Sequence, residues 1–122
     1  MKIAIPVNDN SITSGVCGSF GRAAYFLIYD TNSKEEVFLD NGAASSQGGA
    51  GIKAAQIIAD QKVEALLTPR CGQKAADVLK PAGVKLYQTT GSSVQDTVND
   101  FMGGKLSLLL DTHPGLHNHG GR

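Results

Sequence analysis

The sequence predicts a single α/β domain built on a mixed five-stranded sheet in the order 3-2-1-4-5, with helices on its faces. Short apolar, β-branched runs recur along the chain, each ended by turn-forming residues. In the second half these runs alternate with segments of helical period, the pattern of parallel strands joined by crossover helices. The length of 122 residues is one domain's worth, enough to bury a core without disulfide or metal staples.

Residues 2–7 read as a buried strand stopped by Asn8, Asp9 and Asn10. A long loop to Arg22 follows, carrying Gly15, Cys17, Gly18, Ser19 and Gly21; loops of that length inside a compact domain are commonly functional. Residues 25–29 form the second strand, 30–34 a hairpin turn and 36–39 the third strand. A second loop ends in Gly48, Gly49, Ala50 and Gly51. From there Ile52, Ala55, Ile58 and Ala59 recur at helical spacing, so a helix runs to about Gln61. Residues 63–68 form the fourth strand, and Pro69, Arg70, Cys71 and Gly72 turn into a helix with Ala75, Val78 and Leu79 inward, stopped by Pro81 and Gly83. Residues 84–87 are the fifth strand. Ser92 and Gln95 have capping-box spacing before a helix with Val94, Val98 and Phe101 on one side, closed by Gly103 and Gly104. Residues 105–110 extend as a strand or pack as an irregular tail, so the domain is 1–110. Residues 111–122 are a flexible tail holding His113, His117 and His119, a tract that can bind metal but carries little apolar mass to order it.

An antiparallel meander followed by right-handed crossovers makes the first, third and fourth strands run the same way. The loops leaving their carboxyl ends therefore share one edge of the sheet, where open α/β sheets place ligands. Those loops carry Cys17, the glycine run 48–51 and Cys71.

Eleven Lys and Arg balance eleven Asp and Glu, which argues against nucleic acid or an anionic membrane as partner. Trp is absent, so stacking on bases or sugars is a weak prospect. Residues 2–7 are too short and too soon broken by Pro6 for a signal peptide, and no apolar run reaches membrane-spanning length. A cytoplasmic protein with its two cysteines as thiols is expected.

Gly48, Gly49, Ala50 and Gly51 precede a helix whose unpaired amides and dipole suit an anion. They match neither the Walker nor the dinucleotide fingerprint, and a plain flexible connector is the alternative. Cys17 and Cys71 are isolated thiols in glycine-containing loops. Cys71, beside Arg70 near a helix start, is expected to have a lowered pKa. Thiolates select zinc, copper(I) or iron–sulfur clusters, and two of them are half a usual site. The alternative is that both behave as small buried hydrophobes. The first strand has no carboxylate to hold magnesium, which excludes a ribonuclease H-like nuclease on this strand order. No acid–base pair or ordered triad stands out, so no enzyme activity is expected.

The stretches Ile3-Ala4-Ile5-Pro6-Val7, Ser19-Phe20-Gly21-Arg22-Ala23, Tyr25-Phe26-Leu27-Ile28, Asn41, Gly48-Gly49-Ala50-Gly51-Ile52 and Ala82-Gly83-Val84 resemble the dinitrogenase iron–molybdenum cofactor biosynthesis family over about residues 1–105. The resemblance implies a ribonuclease H-like fold without nuclease activity. It also implies a small carrier of metal–sulfur clusters, such as nitrogenase cofactor precursors or the molybdenum–copper cluster of the orange protein. That family usually has His before Phe-Gly; this chain has Ser19 there, with Cys17 two positions earlier as a replacement ligand.

The resulting expectation is a non-enzymatic carrier of an anionic iron–sulfur or molybdenum-containing cluster, exchanging it with donor and acceptor proteins. Cys17 and Cys71 would be metal ligands, and Ser19, Gly48, Gly49, Ala50 and Gly51 would line the cofactor site. A cubane cluster commonly takes four thiolates, so a cluster-loaded homodimer sharing one site is expected. The competing readings are a redox-responsive protein using Cys17 and Cys71 as a reversible pair, and a binder of an oxyanion such as molybdate.

Overall fold

A computed structural model of the chain describes residues 1–11, 15–43, 48–90 and 93–109. Its strands are β1 (Lys2–Val7), β2 (Tyr25–Asp30), β3 (Glu36–Asp40), β4 (Ala65–Thr68), β5 (Lys85–Gln88) and β6 (Ser107–Leu108). Its helices are α1 (Ala50–Asp60), α2 (Gln73–Leu79) and α3 (Val94–Met102), with a 3-10 turn at Phe20–Arg22. The sheet order is β3-β2-β1-β4-β5-β6. β1 pairs antiparallel with β2 and parallel with β4, β2 pairs antiparallel with β3, and β4 pairs parallel with β5. The expected five-strand order is thus present, extended by a sixth strand antiparallel to β5. Of residues 105–110, which the sequence leaves between strand and tail, Ser107–Leu108 pair as β6, and Leu109 beyond them is buried and donates its N–H to Leu86 O at 2.8 Å; residue 110 lies outside the described residues.

Side-chain alternation divides the core in two. Ala4, Phe26, Ile28, Leu66 and Leu86 face α1 and α2, which return Ala54, Ala55, Ile58, Ala75, Ala76 and Leu79. The intervening residues Ile3, Ile5, Val7, Leu27, Tyr29, Ala65 and Leu67 face α3 through Val94 and Val98. The alanines let α1 and α2 lie close to the sheet and to each other. Across the second face the rings of Tyr87 and Phe101 meet edge to face at 5.3 Å.

Local departures from expectation have local causes. α1 starts at Ala50, so its buried residues are Ala50, Ala54, Ala55 and Ile58, while Ile52 is 38% exposed. The expected cap Ser92 lies outside the described residues. Ser93 caps α3 instead, its Oγ accepting the Asp96 N–H at 3.0 Å. Ser93 and Asp96 have the same capping spacing as Ser92 and Gln95, shifted by one residue. The tail 111–122, with His113, His117 and His119, also lies outside the described residues. Among the described residues no helix is long and apolar enough to cross a membrane.

Candidate functional site

β1, β3 and β4 run in one direction, so the segments after Val7, Asp40 and Thr68 leave a common edge. The segment after β1 folds back on its own strand. Asn8 N–H donates to Gly15 O at 3.1 Å, Cys17 N–H donates to Pro6 O at 2.8 Å, and Val7 bridges Val16. β2 already holds the other side of β1 up to Val7, paired with Tyr25, so this return lies on the β4 side. Gly15 then bridges Ser93 at the start of α3. The return therefore ties the end of β1 to the residue that caps α3. Cys17 sits on it half-buried, its thiol donating to Ser19 O at 3.5 Å. Ser19 is exposed, and the same carbonyl accepts the Arg22 N–H at 3.1 Å, so its backbone is used twice.

After β4, the Thr68 hydroxyl donates to Arg70 O at 2.9 Å and fixes the turn into α2. This turns Cys71 inward. It is 1% exposed, within the cluster that α1 and α2 form against the sheet, and Cys17 packs against the same cluster from outside. The expectation of a lowered Cys71 pKa is wrong. Burial pushes the thiol up to about 11, outweighing the opposing pull of the Lys80 charge. The inward turn removes the solvation that a thiolate needs, and a neighbouring Arg70 in the sequence does not restore it.

A stability consequence follows. The unfolded thiol titrates near its ordinary value of 9.0, and the folded one near 11. Between those values the unfolded chain has lost a proton that the folded chain keeps, so stability falls as pH rises through that window. The loss should approach about 2 to 3 kcal/mol by its upper end. Urea titrations at pH 8 and pH 11 should show it in wild type and show a smaller decline in Cys71→Ala.

The glycine run divides into two parts. Gly48 and Gly49 are exposed, a Cβ at either would meet open space, and Gly49 caps α1 at φ 70°. The run 48–51 is therefore partly a surface and partly a packing element. Ala50 is buried, and Gly51 lies against Gly21, where an added Cβ would stand 2.9 Å from Gly51 N and 3.0 Å from Gly51 Cα. The Phe20–Arg22 turn thus packs directly on the first turn of α1. Ala50 and Gly51, expected to line a ligand site, are occupied on that side by protein.

Asn41 locks this arrangement. It is buried, and its Nδ2 donates to Ala23 O at 2.8 Å and Gly21 O at 3.3 Å while its Oδ1 accepts the Ala43 N–H at 3.1 Å. Sequence reading singled out Asn41 only through the family pattern. A lone Asn between a strand and a loop gave no composition or period signal for a clasp. Asn41→Ala orphans these buried groups and should cost about 2 to 4 kcal/mol by urea unfolding.

The arrangement thus brings Cys17, Ser19 and the Gly48–Gly49 corner to the carboxyl edge and leaves Cys71 beneath them. Among the described residues no group of three or more His, Cys, Asp or Glu side chains is gathered to hold a metal ion. The half-buried Cys17 thiol and the backbone amides at the Gly48–Gly49 corner suit a larger, negatively charged group.

The family model described as Dinitrogenase iron-molybdenum cofactor matches residues 1–104. The fold is similar to that of the apo orange protein from Desulfovibrio gigas, at 33% identity and TM-score 0.85, covering 89% of this chain and 92% of that one. It is also similar to a Thermotoga protein of the DUF35 family, at 34% identity and TM-score 0.80, covering 98% of each. An uncharacterized protein of Methanocaldococcus jannaschii is 30% identical over 109 residues, 87% of this chain and 89% of that protein.

Proposed function

Because the chain belongs to the dinitrogenase iron–molybdenum cofactor family, we propose that it is a non-enzymatic carrier of an anionic metal–sulfur cluster held at the carboxyl edge of the sheet. The observation that carries this reading is the return of 15–17, held to the end of β1 and to Ser93, which offers Cys17 at the edge where loops of parallel strands leave the sheet. The likeness to the orange protein supports a cluster as cargo. The strand order and directions support a ribonuclease H-like scaffold without the magnesium carboxylates a nuclease needs on its first strand.

In this reading Cys17 supplies the accessible sulfur. Cys71 joins it as a ligand only when the metal displaces its proton and the turn before α2 opens, given its burial. Amides at the open Gly48–Gly49 corner and at the start of α1 offset cargo charge. One chain offers few thiolates, so two protomers meeting through their Cys17 loops share one cargo in a two-fold dimer. Donor and acceptor proteins of cluster assembly are the partners, and the site is written for iron–sulfur or molybdenum-containing cargo.

Anaerobic purification followed by visible spectra, metal and acid-labile sulfide analysis, and sedimentation tests the reading. A coloured dimer with metal and sulfide in fixed ratio to protein is expected. Colourless protein that takes up no metal–sulfur species on reconstitution sinks it, and a coloured monomer with a full cluster sinks the shared site. Gly49→Val adds both a left-handed strain and a branched side chain at the open corner. It should keep the sheet by circular dichroism and lower cargo retention about tenfold, a loss of one charge-assisted contact. Unchanged retention would make this corner a connector.

A further inference from the structure

β3 is the outermost strand on its side of the sheet, and among the described residues no strand pairs with its outer flank. Asp30 N–H donates to Glu35 O at 3.0 Å, and Asn41 N–H donates to Ala24 O at 3.1 Å. With the continuous register between them, residues 35, 37, 39 and 41 bond toward β2. The alternate residues Glu36, Phe38 and Asp40 therefore turn their N–H and C=O groups outward. Such an edge is commonly protected by a proline, a bulge or a lysine within the strand, and Glu36-Val37-Phe38-Leu39-Asp40 holds none of them.

The strand is held ready at both ends. Ahead of it, the Asp30 carboxylate accepts the Asn32 N–H at 2.8 Å and Lys34 N–H donates to Asp30 O at 2.8 Å, which fixes the hairpin turn. Behind it stands the Asn41 clasp on Ala23 O and Ala43 N–H. A strand ordered in advance loses little freedom when another is added to it. Its side chains choose the occupant. Phe38 is half-buried on the α3 face, flanked there by exposed Glu36 and Asp40; on the other face Val37 is 47% exposed and Leu39 half-buried. A second copy paired antiparallel over the full strand would set Glu36 against Asp40 of the other copy at both ends, and like charges placed opposite each other destabilise.

We propose that β3 is a docking edge for a partner protein. The partner adds an extended segment antiparallel to β3, with basic side chains against Glu36 and Asp40 and apolar ones against Val37, Phe38 and Leu39. Main-chain bonds to Glu36, Phe38 and Asp40 hold the segment, and the two carboxylates select its charge. β2 separates β3 from β1, so this docking uses none of the residues of the candidate cargo site and needs no cargo.

Amide NMR of the full-length protein, titrated with the end-blocked peptide Gly-Lys-Val-Phe-Val-Lys-Gly, tests it. The amides of Glu36, Phe38 and Asp40 should shift, and at millimolar peptide they should exchange with solvent about tenfold more slowly or better. The peptide Gly-Glu-Val-Phe-Val-Glu-Gly should bind about tenfold more weakly, and about 1 M salt should shrink the difference. Glu36 and Asp40 are exposed, so the double variant Glu36→Lys, Asp40→Lys should keep the fold and reverse the order of the two peptides. Amides of residues 36, 38 and 40 that stay unmoved at millimolar peptide overturn the proposal. Equal affinity for the two peptides, or a double variant that keeps the wild-type order, does the same. Protection of these amides by protein concentration alone, with a dimer in sedimentation, assigns the edge to a second copy and also overturns it.

Discussion

Under the proposed carrier role, Cys17→Ser should leave the fold intact and strip the protein of its cargo. The thiol is half-buried at the rim and makes only a long contact to Ser19 O, so a hydroxyl fits its place with a change in stability within about 0.5 kcal/mol. A serine oxygen is a poor ligand for the soft metals of sulfide clusters, so visible absorbance and bound metal should fall by at least about tenfold. Dimerisation that depends on cargo should disappear with them. Cys71→Ser should behave differently. It sets a hydroxyl among apolar side chains and should lower stability by about 1 to 3 kcal/mol, whether or not cargo is bound. Anaerobic spectra and urea midpoints on the two variants separate the roles. Equal cargo loss with equal destabilisation in both would assign Cys17 to packing rather than binding.

Gly21→Val should be the most damaging single substitution at this edge. Even the first added carbon at position 21 stands 2.9 Å from Gly51 N and 3.2 Å from Ala50 C, against backbone that no rotamer change can clear. The 3-10 turn and the first turn of α1 must part, which also strains the Asn41 clasp on Gly21 O and Ala23 O. A loss of about 3 kcal/mol or more is expected, with Gly21→Ala intermediate. Gly51→Ala, whose Cβ meets Ala75 Cβ at an ordinary 3.9 Å, should be mild by comparison. Thermal unfolding of the three variants checks the ranking.

The sheet was legible in the sequence because its signals are local. The unbroken apolar runs buried at residues 3–7, 26–29 and 65–67 and the helical period around Ala54, Ala55 and Ile58 need no knowledge of partners. The shared edge followed from strand directions and the handedness of crossovers. The inward turn of Cys71 was not legible, because it depends on Thr68 reaching Arg70 O and on the apolar cluster waiting beneath. The two glycine motifs were each visible, yet their packing on one another joins residues thirty positions apart, beyond any local pattern. Ser93 displaced Ser92 as the helix cap because neighbouring serines offer competing registers, and sequence spacing alone does not choose between them.

The register of β1 carries a consequence for the order in which the molecule forms. β1, β2 and β3 are joined by nearest-neighbour antiparallel pairing, whereas β1 meets β4, far along the chain, in the parallel register Ile3 with Ala65 and Ala4 with Leu66. Pairings close in sequence form fast, and those that must close a long loop form late. As the chain leaves the ribosome the meander is complete before β4 exists, and the bare flank of β1 waits for it. The binding edge needs that flank filled, and it needs Ser93 in place to receive Gly15. A nascent or truncated chain thus holds Cys17 without the edge around it; under the proposed carrier role, loading of cargo would follow completion of the chain rather than accompany its synthesis.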